Sequence, residues 1–507
     1  MLDIRILLSA ILGTVAPGTS ALHAPFQRAL SEHFKDLSMT TVTSSQQHQL
    51  PTQGTLRRSI TFRDLVVYGL LFITPTGIAG IFGTLYASSN GALALVYIIA
   101  AAAVSLTAIS YAQMSRAVPT AGSVFAYANA GIGPRSGFIG GWMMLLDYVF
   151  IPSIAYLFAG LALHSAVPSV PAWLFTAVAV ILTTLCNLQG VKFAAWVGRV
   201  VLYIEFALLG LVMIFGVVVL INRGPAQSLI MPLAGDGQLT LVVLAAAASI
   251  AVFSFLGFDG IASFAEENSG DPRLVGKATI TCLILAGLLL VAVSYVMALL
   301  APFSPAEVAA NPDLQGTAFY DTIRTSVAPW LATVFAIVKA LGSAFCAMVG
   351  QAAASRLLFA MAREHTLPPF LAKVGRRSGT PIVSVAILGG LSLVIAVTAS
   401  LQGDGLEILS TTINVGALVG FVLVNIAVIG YFAVQRKSGR LITHILVPAL
   451  GALIAVVLLV STGETAKIVG GAWLLIGLII LLVRKALNKP VPHLAETAAQ
   501  GTDKESV

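Results

Sequence analysis

Residues 61–91 read TFRDLVVYGLLFITPTGIAGIFGTLYASSNG. The stretch is apolar for long enough to cross a bilayer, which takes roughly 20 helical residues. Its centre is ill suited to a helix, because Pro75, Gly77 and Gly80 stand there with Thr74 and Thr76 beside them. Proline removes a backbone donor and clashes with the preceding turn, and glycine loosens the chain. In hydrocarbon, broken backbone is tolerated only where it lines a cavity or a ligand. A proline-kinked helix packed on its neighbours would contain the same residues, so the reading turns on whether a second break exists.

The second break lies in residues 245–272, AAAASIAVFSFLGFDGIASFAEENSGDP, where Gly257, Asp259 and Gly260 interrupt an apolar run. An ionised aspartate at mid-membrane costs at least ~2.5 kcal/mol, and such residues face a cavity, a partner or a pathway. An Asp259 salt-bridged inside the bundle is the structural alternative. Broken helices at matching places in two halves point to an inverted-repeat transporter.

Composition agrees with a membrane protein. The chain is 58% hydrophobic and 10% charged, with a mean hydropathy of +0.94, against roughly 25% charged residues in soluble domains. The net charge of +7 is read as topology rather than as nucleic-acid binding. Cys186, Cys282 and Cys346 fall inside apolar runs and suggest neither a disulfide framework nor a metal cluster; no cofactor is expected.

About twelve spans are predicted, near 65–88, 92–115, 136–163, 171–190, 197–221, 240–266, 277–301, 329–355, 381–400, 407–433, 442–461 and 466–485. Loops after even-numbered spans hold most of the basic residues, among them Arg116, Arg135, Lys192, Arg199, Arg273, Arg376 and Arg436. Loops after odd-numbered spans hold Arg223, Arg324 and Lys467. Basic short loops stay in the cytoplasm, which places both termini there. The longest outer loop, residues 302–328, is expected to hold a short helix or two.

The second half of span 1 should begin near Ile78. Unpartnered amides and a partial positive charge at a helix start suit a carboxylate, and Gly77 and Gly80 let the substrate approach the backbone. The first half of span 6 should end near Gly257, where free carbonyls suit an ammonium and Asp259 reinforces them. Asp147, Glu205, Asp259 and Lys339 are the ionisable residues inside spans. Glu205 is expected either to serve proton coupling or to hydrogen-bond a neighbouring helix. Lys339 is expected to pair with a carboxylate in the empty site or to snorkel outward. Asp147, early in span 3, is expected to be a gate on the cytoplasmic side. Phe255, Phe258 and Tyr148 stand where rings can close over a bound cation, although a phenylalanine in an apolar helix is more often plain packing. Trp142 and Trp173 are expected to mark membrane interfaces.

Four stretches carry a family resemblance: ITPTGIAGIFG in span 1, AGSVFAYANAGIGPRSGFIGGWMMLLDYVFIP at 121–152, FSFLGFDGIASFAEEN in span 6, and SRLLFAMARE at 355–364. The chain resembles the amino acid–polyamine–organocation permease superfamily over roughly residues 57–484. LLDY at 145–148, FSFLGFDG and INVGALVGFVLVN are most similar to putrescine importers. The resemblance implies an all-α, leucine-transporter-like fold with a 5+5 inverted repeat plus two C-terminal helices. It also implies alternating access, with substrate between spans 1, 3, 6, 8 and 10. Putrescine importers tend to carry an acidic residue in the first break, where this chain has Gly80. Some superfamily members place a coupling lysine near the position of Glu205.

The expected organisation is therefore a disordered cytoplasmic tail at 1–60, a permease domain at 61–486 and a cytoplasmic tail at 487–507. Residues 1–38 are expected to be a misannotated start, with translation from Met39. Within the domain, helices 1–5 cover about 65–221, helices 6–10 about 240–433 and helices 11–12 about 442–485. The expected function is a secondary active importer of an amino acid or polyamine across the cytoplasmic membrane, with an organic cation favoured and protons as the coupling ion. An exchanger of the same fold and a non-transporting sensor are the competing classes. No GxxxxGK[ST], HExxH or GxSxG sequence occurs, which argues against an ATP motor or an enzyme.

Overall fold

In this computed structural model the described residues are 61–486, apart from 120–122, 190–193, 238, 265–270, 272, 364–368, 374 and 376–379. The expected tails, 1–60 and 487–507, and the proposed start at Met39 lie outside the described residues. Every regular element among the described residues is helical.

The order begins with α1 (Phe62–Ile73), α2 (Ile78–Ser88), α3 (Leu93–Ala117), α4 (Ser123–Gly131) and α5 (Pro134–Ala166). It continues with α6 (Ala172–Gln189), α7 (Ala194–Arg223), α8 (Leu241–Ala251), α9 (Arg273–Leu300), α10 (Pro305–Ala310) and α11 (Pro312–Thr322). The chain closes with α12 (Pro329–Arg363), α13 (Ile382–Leu401), α14 (Gly405–Val428), α15 (Val447–Val460) and α16 (Glu464–Ala486). Among the described residues, nine helices are long and apolar enough to cross a membrane. Three more apolar helical stretches are shorter, Ile78–Ser88, Ala172–Leu188 and Leu241–Phe255.

Both expected breaks are present. Between α1 and α2 the chain makes a single 3₁₀ turn at Pro75–Gly77. After α8 it tightens into a 3₁₀ turn at Val252–Phe255, straightens, and resumes as a 3₁₀ segment at Asp259–Phe264. The first half of span 6, expected to end near Gly257, leaves the α-helical repeat earlier, at Ala251, and runs on as the 3₁₀ turn to Phe255.

The longest helices pack pairwise, α5 along α12 and α3 along α9, with α14 also lying on α5. The outer loop holds two short helices, as its pattern suggests. Ser304 and Glu307 form a capping box at α10, and the Asn311 side chain caps α11, each satisfying donors that a helix start leaves open. The second of these helices lies on α2.

Trp142, expected to mark a membrane interface, also packs one helix on another. Its ring stacks on Trp473 at 4.9 Å, and each indole N–H donates to the other residue's carbonyl, at 2.7 and 2.9 Å. The pair clasps α5 to α16. Trp173, at the start of α6, is the more exposed of the two expected anchors.

Candidate substrate site at the two helix breaks

α1 ends where Thr74 turns into the left-handed region, at φ 44°. That conformation is costly for a β-branched residue. The turn is held by the Gly77 amide donating to the Thr74 carbonyl at 2.7 Å. α2 then starts at Ile78 with no side chain capping it, so its positive end faces whatever occupies the break. Gly77 has open space where a Cβ would stand, with nothing within 4 Å. Gly80 differs: a Cβ there would lie 2.3 Å from the Phe158 ring. Gly80 is thus a seat for Phe158 of α5, and Gly77 is the glycine that opens onto space.

Thr76 is fully buried and joins two charged residues from distant helices. Its hydroxyl donates to Glu205 Oε2 at 2.9 Å and accepts from Lys339 Nζ at 3.2 Å. Lys339 Nζ lies 3.6 Å from Glu205 Oε1. Glu205 comes from α7 and Lys339 from α12, and they are only 3% and 2% exposed. Of the two outcomes foreseen for Lys339, pairing is the one observed. The triad ties the first break to the helices on either side of it.

At the second break, Gly257 adopts φ 109°, a conformation open to glycine and strained for other residues. Asp259 folds back over it, and its Oδ1 accepts the Gly257 amide at 3.1 Å. The Gly260 amide donates to the Gly257 carbonyl. The end of α8 is less open than expected. The Asn414 side-chain amide, from α14, donates to the Ser249 carbonyl at 2.5 Å and reaches the Ile250 carbonyl at 3.5 Å. Some of the carbonyls assigned to a ligand are therefore already taken by the protein.

The flanking rings also have fixed places. Phe255 meets Tyr97 edge-on at 6.3 Å, and Phe258 packs on Tyr111 and Phe421 at 5.5 and 5.3 Å. Both phenylalanines are fully buried, which makes them wall rather than lid. Phe253 contacts Phe158 at 6.1 Å, so Phe158 sits between Gly80 at one break and Phe253 at the other.

Asp147 is not near the start of its helix. It lies thirteen residues after Pro134 in α5, about 20 Å along the axis at 1.5 Å per residue. Its side chain is 5% exposed, and Oδ1 has no hydrogen-bond partner. The neighbouring Tyr148 is 45% exposed and interacts electrostatically with both Asp147 and Asp259. Cys346, two turns along α12 from Lys339, is likewise exposed while lying beside Thr74, Lys339 and Glu205.

Thr74, Thr76, Gly77, Ile78, Gly80, Glu205 and Lys339 thus gather at the first break. Gly257, Phe258, Asp259 and Gly260 gather at the second, with Asp147 and Tyr148 alongside. Phe158, Asn414, Tyr111 and Cys346 were not anticipated. For Asn414 a signal existed, a lone amide at the head of the apolar run INVGALVGF; for Phe158 none did. Among the described residues no group of three or more His, Cys, Asp or Glu is placed to hold a metal.

Comparison with known proteins agrees with this architecture. The family model described as amino acid permease matches residues 65–483. The chain is 29% identical over 452 residues to the low-affinity putrescine importer PlaP of Escherichia coli, covering 87% of this chain and 97% of that protein. It is 27% identical over 455 residues to the branched-chain amino acid permease BcaP of Bacillus subtilis, covering 84% and 93%. It is 26% identical over 400 residues to the vacuolar cationic amino acid transporter 4 of Arabidopsis thaliana, covering 74% and 63%.

Proposed function

The chain belongs to the amino acid permease family, multi-pass membrane transporters rather than enzymes, and from that premise we propose that it is a proton-coupled secondary importer of an organic cation. The substrate is a polyamine or a basic amino acid, and the site is the space between the two helix breaks. The observation that carries the reading is the division of charge around that space. On one side the ion pair of Lys339 and Glu205 neutralises itself. On the other, Asp147 and Asp259 face no Lys, Arg or His partner among the described residues. A substrate space with one self-balanced side and one acidic side would favour a cation.

Alternating access follows from the breaks. In the proposed topology the twelve spans form two inverted repeats, spans 1–5 and 6–10, with the termini in the cytoplasm. Under that arrangement span 2 is the counterpart of span 7, and span 3 of span 8. These are the pairs that pack most intimately, α3 on α9 and α5 on α12, as expected for elements flanking a common pseudo-two-fold axis. The Thr76–Glu205–Lys339 triad is the coupling element in this reading. A proton on Glu205 would release Lys339 and loosen the first break from α7 and α12.

A thermal-stability screen of the purified protein against polyamines and amino acids tests the substrate class, because a specific ligand stabilises the state it binds. Putrescine, lysine or another organic cation should raise the melting temperature. Stabilisation by neutral amino acids alone would contradict the cationic assignment.

A further inference from the structure

Asp147 has a part on this acidic side that its sequence position did not suggest. Its carboxylate projects from α5 onto α14, where Oδ1 lies 3.0 Å from the point a Cβ on Gly416 would occupy. The missing side chain at Gly416 makes room for the carboxylate. Oδ1 is buried and lacks a hydrogen-bond partner, an expensive condition for a carboxylate inside a membrane bundle. Tyr111 and Tyr127, packed edge-to-face at 5.9 Å, bury two further hydroxyls: that of Tyr127 lacks a hydrogen-bond partner, and that of Tyr111 lies beside Ser123. Tyr111 interacts electrostatically with both Asp147 and Asp259. The faces of Phe258 and Phe421 close the same space. The unpartnered oxygen of Asp147, the carboxylate of Asp259 that interacts with it, the surrounding aromatic rings and the exposed ring of Tyr148 describe a cradle for ammonium groups.

We propose that Asp147 and Asp259 are a paired-carboxylate site for a substrate carrying two ammonium groups, one held at each aspartate. The inference rests on the cationic reading above and narrows it. Two carboxylates without a protein cation are neutralised by a diammonium substrate, whereas a monoamine leaves one charge buried. Asp147 is then a specificity residue touching the substrate, rather than a gate.

The test is equilibrium binding to the purified full-length protein, with putrescine against butylamine and lysine against norleucine as probes. Wild type should prefer the diammonium member of whichever pair it binds by at least about tenfold. Asp147→Asn should weaken that member by about ten- to hundredfold, the loss of one charge-assisted contact. The monoammonium member of that pair, which needs only one carboxylate, should lose much less, and a melting temperature of the unliganded variant near wild type reports the fold. Tyr111→Phe, which removes a single hydroxyl, should cost the diammonium ligand several-fold and decides the matter if Asp147→Asn does not fold. An undiminished diammonium preference in the folded variants would overturn the paired site while leaving a cation transporter intact. A wild-type protein that binds neither putrescine nor lysine would overturn both readings.

Discussion

Lys339 and Glu205, separated by 134 positions in the chain, meet at 3.6 Å with the Thr76 hydroxyl bonded to both. Removing one member of such a buried pair leaves the other charge uncompensated, typically at a cost of about 3–5 kcal/mol. Lys339→Met should therefore lower the melting temperature markedly, and Lys339→Met combined with Glu205→Gln should recover much of the loss. Additive losses in that double-mutant cycle would mean the two residues do not interact energetically.

Glu205→Gln by itself keeps the shape and the hydrogen bond from Thr76 but removes the titrating carboxylate. Uptake by this variant should lose its dependence on external pH while substrate exchange persists. A pH profile identical to wild type would leave Glu205 as a structural residue.

The two glycines of the first break should respond differently. Gly80→Leu forces its side chain into the Phe158 ring, 2.3 Å from the Cβ position, and should abolish uptake with the protein still inserted in the membrane. Gly77→Ala meets no neighbour within 4 Å; it should be stable and alter substrate affinity. Full transport by a well-inserted Gly80→Leu would separate Phe158 and the first break from the transport cycle.

Cys346 gives a chemical view of the first break. In a Cys186→Ser background, a water-soluble thiol reagent should label Cys346, leave the buried Cys282 unlabelled, and be slowed by saturating substrate. Labelling that is indifferent to a bound substrate would place Cys346 away from the substrate's path.

Much of this architecture was legible beforehand because hydropathy and backbone-breaking residues act locally. Pro75, Gly77 and Gly257 mark the breaks by their own stereochemistry, and a bilayer sets the length of the helices between them. What was not legible is which side chains meet. Lys339 carries no local mark of its partner, and Asn414 closes carbonyls on a helix 165 positions earlier. Phe158 looks like any phenylalanine in an apolar helix until Gly80 is found beneath it. The surroundings of Asp147 were not legible either, because Gly416 and Tyr111 reach it from other helices.

The most direct test of the central claim is uptake of labelled putrescine and lysine into proteoliposomes with an imposed inward proton gradient. The account predicts accumulation of an organic cation above equilibrium in empty vesicles, collapsing when a protonophore dissipates the gradient and weakened severalfold or more in Asp259→Asn. Uptake that ignores the gradient and requires the same substrate inside the vesicles would contradict proton-coupled import and identify an exchanger instead.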